Sequence, residues 1–96
     1  MTNRLLEFTP KEWEGDKLPY PLEKGMLYVC WKLKYVAFQC PCGCGYDVAL
    51  AYQGNEKETY QWRFSEQDGK VTLSPSVAID PCKAHFFIRN NKIIWV

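Results

Sequence analysis

The sequence is poor in histidine and in net charge: one histidine occurs among 96 residues, and the formal charge is +1. Without an excess of positive charge the chain lacks the electrostatic footprint of nucleic-acid binding, so no nucleic-acid partner is expected. It has no apolar run long enough to cross a bilayer, so no membrane association is expected. No long apolar stretch follows Met1 either, and we therefore expect no secretory signal and a reducing, cytoplasmic location.

The chain also lacks internal repeats, low-complexity segments and a convincing helical periodicity. Its length predicts one domain over residues 1–96. Prolines and a Gly-Asp pair interrupt residues 1–24, which we expect to form an irregular N-terminal arm. Within this arm, Thr9-Pro10-Lys11-Glu12 offers a cap, a proline at the first helical position and an acid in the first turn. This pattern favours a short helical turn from Thr9 to Glu14.

Cysteine, in contrast, is concentrated, since three of the five cysteines fall in the run Cys40-Pro41-Cys42-Gly43-Cys44-Gly45. Glycines in such a knuckle free the backbone to turn and bring sulfur atoms onto one centre. A second pair of ligands follows downstream at a Cys-x-x-His spacing, so the sequence predicts a zinc site split between two segments. The candidate ligands are Cys40, Cys42, Cys44, Cys82 and His85. Cys30 lies in an apolar run and is expected to be an ordinary buried side chain.

Alternation of apolar and polar residues predicts strands over most of the remaining chain. One long strand is expected from Leu27 to Val36, with a return strand from Tyr46 to Tyr52 after the knuckle. Asp68-Gly69 and Asn90-Asn91 are typical of tight hairpin turns. The predicted fold is mostly β, a small antiparallel sheet with a zinc-ribbon-like knuckle and at most a short N-terminal helix.

Five candidate ligands exceed the four of a closed structural zinc site, which leaves the role of the metal open. Thiolates with one imidazole suit zinc, although ligand type alone does not exclude iron or an iron–sulfur centre. Three protein ligands and a water would indicate a hydrolytic zinc, whereas four protein ligands would indicate a scaffold. The residues alone favour the scaffold, a non-catalytic zinc-ribbon adaptor that binds a protein partner.

Together these motifs resemble a family of small bacterial proteins of unknown function, encoded in operons with ubiquitin-like proteins and E1-like and E2-like enzymes. The resemblance covers Met26 to Trp95. The residues that carry it, besides the knuckle, are Trp62, Leu73-Ser74-Pro75-Ser76, Pro81-Cys82, His85-Phe86-Phe87-Ile88 and Ile94-Trp95.

The resemblance implies a peptidase that trims or removes a ubiquitin-like modifier, with the ubiquitin-like protein and the E1-like and E2-like enzymes as partners. We expect a zinc-dependent mechanism, in which the metal activates water and a carboxylate acts as base. The candidate bases are Asp47, Glu66 and Asp80. Ser74 or Ser76 would steady the oxyanion, although an ordinary turn also explains these serines. A mechanism with a spare knuckle thiol as nucleophile ranks below metal-activated water, since it lacks a free histidine.

Overall fold

The computed structural model describes residues 4–96, and within this range it contains eight strands and no helix. In those residues no helix long and apolar enough to span a membrane occurs. Two four-stranded sheets are formed, with the strand orders β1-β2-β3-β4 and β5-β6-β7-β8. The strands are β1 (Thr9–Trp13), β2 (Met26–Cys30), β3 (Tyr35–Gln39), β4 (Asp47–Ala51), β5 (Arg63–Gln67), β6 (Lys70–Ile79), β7 (Ala84–Arg89) and β8 (Lys92–Trp95).

The first sheet carries the cysteine knuckle at one end. Strands β2, β3 and β4 are antiparallel, and β3 pairs with β4 from Tyr35 opposite Ala51 to Gln39 opposite Asp47. The knuckle is therefore the turn of the β3–β4 hairpin, as the sequence predicts. Strand β1 pairs in parallel with the outer edge of β2, from Thr9 opposite Met26 to Trp13 opposite Cys30.

The second sheet is a meander of tight hairpins. Asp68 and Gly69 both have positive φ, 54° and 77°, between β5 and β6. Asn90 and Asn91 have φ of 50° and 70° between β7 and β8. Both turns were expected from the sequence, because asparagine, aspartate and glycine tolerate the left-handed conformation that two-residue hairpin loops require.

One hydrophobic cluster contains residues from both sheets. Phe38 of β3 is fully buried at its centre, with its ring 4.9 Å from that of Phe8 and 6.3 Å from that of Phe86 on β7. The segment before β1 closes the edge of the second sheet, since the Phe8 N–H donates to the Asn91 carbonyl at 2.8 Å. The two sheets therefore share a core.

The mostly β fold is confirmed, and two local predictions within it are wrong. Thr9 to Glu14 does not form a helical turn, because Thr9–Trp13 is strand β1. This strand lies within residues 1–24, which were expected to be irregular. Trp13 packs edge-on against Tyr28 at 6.3 Å, and this contact with β2 outweighs the local capping pattern. The long strand from Leu27 to Val36 is instead a hairpin, since Lys34 has a φ of 63° and its N–H bonds to the Cys30 carbonyl at 2.8 Å.

We expect Phe38→Ala to lower the free energy of unfolding by about 3–5 kcal/mol, because it removes a fully buried ring from the shared core. Ile94→Ala is the control, since Ile94 on β8 is 42% exposed and its truncation should cost less than about 1 kcal/mol. Urea unfolding followed by tryptophan fluorescence measures both. Equal losses in the two variants would contradict the shared core.

Candidate active site and metal centre

The knuckle is built by backbone turns that only glycine adopts easily. Gly43 and Gly45 have φ of 93° and 83°. The Cys40 N–H donates to the Tyr46 carbonyl at 2.8 Å, which closes the hairpin, and the Gly43 N–H donates to the Cys40 carbonyl at 3.2 Å. These bonds turn the three knuckle side chains toward the end of the second sheet.

Four thiols meet at this place. Cys82, in the turn between β6 and β7, reaches the knuckle, and its Sγ lies 3.5 Å from that of Cys40. The Sγ atoms of Cys40 and Cys42 are 3.4 Å apart, and all four sulfur atoms, including that of Cys44, lie within 4.8 Å of one another. A tetrahedral zinc with Zn–S bonds of 2.3 Å separates its sulfurs by about 3.8 Å, so the cluster has the dimensions of such a site.

Burial and mutual contact shift the pKa values of three of the clustered thiols. Burial, with the neighbouring Cys42 and Cys82, raises the pKa of the Cys40 thiol, and burial also raises the pKa of Cys42. Burial acts in the same direction on Cys82, but the Ala84 N–H and the other thiols outweigh it and lower its pKa. The cysteines are free, and their donor type and spacing fit a soft or borderline cation such as zinc.

His85 lies outside this group of thiols. It sits on the exposed face of β7, and its Nε2 is 2.8 Å from the Oγ of Ser76 on β6. Among the described residues, the structure thus brings together four of the five predicted ligands and places the fifth beside a hydroxyl.

A bulge in β6 positions Ser76. The β6–β7 register runs from Leu73 opposite Ile88 directly to Val77 opposite Phe86, so β6 carries extra residues between these pairs. Such a bulge breaks the regular alternation of a strand and redirects a side chain. It contains Ser74, Pro75 and Ser76.

A side chain before β5 fixes the main chain at the same point. The indole Nε1 of Trp62 donates to the Ser76 carbonyl at 3.3 Å. Trp62 itself is held by Tyr60, whose ring lies 4.7 Å away, and by its own N–H, which donates to the Ala51 carbonyl at 2.8 Å. Ser76 is therefore tied to the first sheet through one aromatic residue.

The Ser76–His85 contact has the geometry of a nucleophile and its base. In the tautomer that carries its proton on Nδ1, the imidazole Nε2 accepts the hydrogen bond from the Ser76 hydroxyl. A serine hydroxyl is a weak nucleophile alone, and an imidazole at this distance activates it by taking its proton during attack.

The other predicted catalytic residues lie apart from this pair. Ser74 is exposed and opposes Arg63 of β5. Glu66 accepts a hydrogen bond from the Gly69 N–H at 2.8 Å, in the hairpin turn at the far end of β6. Asp80 is exposed at the start of the turn that leads to Cys82, and Asp47 is exposed at the start of β4.

Sequence reasoning named both members of the hydrogen-bonded pair but did not join them. It assigned His85 to the metal, and Ser76 to a possible oxyanion contact. The signal that was available is the strand pattern itself, since Ser76 and His85 both fall at solvent-facing positions of consecutive strands joined by a short turn.

The family model described as "Bacterial ubiquitination-like system serine protease (BubE)" matches residues 14–96. Comparisons with curated proteins and with solved structures find no match. The matched range begins directly after β1 and includes the cysteine cluster, Ser76 and His85. The resemblance to a family of bacterial ubiquitin-like pathways is confirmed.

The expectation of a zinc-dependent peptidase is wrong, because the matching family is described as a serine protease. The geometry gives a physical reason for the error. Four thiols already supply the number of ligands that a closed zinc site takes, so the cluster needs no imidazole. His85 is instead in contact with a serine hydroxyl.

Proposed function

The chain belongs to the BubE family of bacterial ubiquitination-like system serine proteases, and we propose that it cleaves peptide bonds with Ser76 as nucleophile and His85 as general base. The observation that carries this proposal is the distance of 2.8 Å between Ser76 Oγ and His85 Nε2. The bulge that presents Ser76 and the Trp62 hydrogen bond that holds its main chain support the same role.

In the proposed reaction, Ser76 Oγ attacks the carbonyl carbon of the scissile peptide bond while its proton moves to His85 Nε2. The protonated imidazole then gives this proton to the leaving amine, the C–N bond breaks, and an ester remains on Ser76. A water molecule, deprotonated by His85, hydrolyses the ester, and the proton returns to Ser76. Among the described residues, the His85 side chain forms a hydrogen bond with Ser76 and none with a carboxylate. We therefore propose a Ser–His dyad.

The substrate we propose is a ubiquitin-like protein, cleaved either as a precursor or from a conjugate. The pathway named in the family description supports this choice, and it makes the E1-like and E2-like enzymes further candidate partners. We also propose that the protein acts in the cytoplasm, because free cysteines are typical of reducing compartments.

We propose a structural zinc at Cys40, Cys42, Cys44 and Cys82. Four thiolates would close the coordination shell and hold the ion without an open position for water. The ion would join the β3–β4 knuckle to the turn between β6 and β7. That turn leads directly into His85, so the metal would act on the reaction only by holding the strand that carries the base.

Ser76→Ala should reduce kcat/KM for cleavage of a ubiquitin-like precursor by roughly 10³- to 10⁶-fold, since no other group replaces the nucleophile. Ser74→Ala is the matched control, because Ser74 lies in the same bulge and is exposed. It should stay within about threefold of the original chain, a change worth less than 1 kcal/mol. Cleavage is measured by mass spectrometry.

A fluorophosphonate probe gives a readout that does not depend on the substrate. We expect it to label Ser76 in the original chain and in Ser74→Ala, and to label His85→Ala far more slowly. Full cleavage by a folded Ser76→Ala variant would overturn the proposed nucleophile. If the metallated chain neither cleaves its cognate precursor nor reacts with the probe, it is not a serine peptidase.

For the metal, we expect one zinc per chain by elemental analysis. Cys44→Ser should lose most of it, whereas Cys30→Ala should keep it, because Cys30 is buried in a separate cluster and burial raises its thiol pKa to about 11. Cadmium should replace zinc with no loss of fluorophosphonate labelling, since a scaffold ion does not enter the reaction. Zinc loss in His85→Ala as large as in Cys44→Ser would contradict the assignment of His85.

A further inference from the structure

Strand β6 is paired on both sides for only part of its length. On the β5 side the last pair is Arg63 opposite Ser74, where β5 begins. On the β7 side, pairing continues to Ile79 opposite Ala84. Among residues 4–96, no strand therefore lies beside the second half of β6 on the β5 side, and this open edge starts at the bulge that carries Ser76.

The main-chain groups of Ala78 turn toward this edge. The Val96 N–H donates to the His85 carbonyl at 3.0 Å, so the main chain of His85 faces β8. Ala78 lies opposite His85 in the β6–β7 ladder. Because antiparallel pairs alternate between hydrogen-bonded and non-hydrogen-bonded, Ala78 and His85 form a non-hydrogen-bonded pair. The N–H and C=O of Ala78 therefore point away from β7.

A second contact lies on the same side of β6. The Ser76 carbonyl accepts a hydrogen bond from Trp62, which precedes β5, so it too is directed away from β7. The loop and turn hydrogen bonds between main-chain groups in the described chain include none to Ala78. Ala78 thus offers one donor and one acceptor beside the nucleophile.

From this geometry we propose that an extended segment of the substrate pairs as a short added strand with Ala78, on the open edge of β6. The proposal rests on the proposed peptidase function, whose substrate is a ubiquitin-like protein, and it assigns the bound part to a flexible tail. An extended main chain satisfies both Ala78 groups, which a folded surface does not. A strand bound there reaches Ser76, where Trp62 occupies the edge, so pairing would bring a peptide carbonyl close to the Oγ.

The surroundings of the edge suit such a tail. Ala78 is exposed, and its small side chain leaves room for a side chain of the added strand. The Trp62 indole contacts the Ser76 main chain, and Tyr60, which packs on Trp62, is 65% exposed, so these two rings offer an apolar surface. The segment recognised would therefore be extended, with an apolar residue directed at these rings.

Ala78→Pro tests the pairing, because proline removes the N–H that faces the open edge and leaves the hydrogen bonds of its neighbours to β7 intact. We expect kcat/KM for a ubiquitin-like precursor to fall roughly tenfold or more, because the variant loses a main-chain hydrogen bond to the added strand and its proline ring clashes with that strand. Fluorophosphonate labelling of Ser76 should stay within about threefold, since the probe makes no strand contact.

Ala49→Pro is the matched control. Ala49 is exposed on the edge strand β4. The Ala51 carbonyl accepts a hydrogen bond from the Trp62 N–H, so the main-chain groups of Ala51, and those of Ala49 two residues before it, point away from β3. The control therefore removes an outward N–H from an exposed alanine of the other sheet, and it should change neither cleavage nor labelling.

A series of tail peptides, each with one N-methylated backbone amide, repeats the test without changing the protein. Methylation should slow cleavage most at a single position, because the proposed pairing uses one tail N–H, the donor to the Ala78 carbonyl. Full cleavage by Ala78→Pro, or equal slowing at every position, would overturn the pairing while labelling still supports the serine nucleophile. A change from dimer to monomer in Ala78→Pro, measured by light scattering, would assign the edge to a second copy of the chain instead.

Discussion

The antiparallel pairing of β6 with β7 is the constraint on which both parts of the site depend. The shifted register between Leu73 and Val77 presents Ser76 on the outer face of the sheet, next to His85. The turn that joins the same two strands carries Cys82 to the knuckle. A slip of one residue in this ladder would send every following side chain to the opposite face, so it would separate the serine from the histidine and bury an exposed strand face.

The core explains why this ladder is rigid enough to align two side chains. Val77 and Phe86 are opposite each other and almost fully buried, so the inner face of the ladder is packed at the very residues that follow the bulge. Phe86 also contacts Phe38 of the first sheet. The hydroxyl and the imidazole lie on the outer face, where His85 is exposed and Ser76 is half-buried. Packing on one face therefore supplies the precision that the exposed face needs.

Local patterns in the sequence were sufficient for the two hairpins of the second sheet and for the turn of the knuckle, because each rests on short-range chemistry. Asp68-Gly69 and Asn90-Asn91 fix their turns by their own backbone preferences, and Gly43 and Gly45 do so within the knuckle. Strand β1 was not predictable in this way, since Thr9–Trp13 is a strand only through its parallel pairing with β2. A parallel contact leaves no sign in the sequence of either strand, and here it overrode a capping pattern.

The separation of His85 from the four thiols was likewise beyond the sequence. The spacing of Cys82 and His85 is compatible with a shared metal ion, and it is equally compatible with a serine partner for His85. Which of the two applies depends on the face of β7 on which the imidazole lies. A Cys-x-x-His segment places both residues on one centre when it turns around the ion, but here Ala84 already begins the strand. In a strand, the side chain of His85 leaves on the face opposite that of Ala84, which is buried. The start of β7 thus directs the imidazole outward, toward Ser76.

An exposed hydroxyl–imidazole pair is a weak catalyst in open water, because water competes for its hydrogen bonds and screens developing charge. His85 is exposed and Ser76 is half-buried, so the free protein leaves the pair largely solvated. An added strand at Ala78 would lie next to Ser76, and it would replace water there by the peptide itself. Binding of the proposed tail and activation of the serine would then be one event. A small chain without a deep cleft would then use its substrate to complete the enclosure of the site.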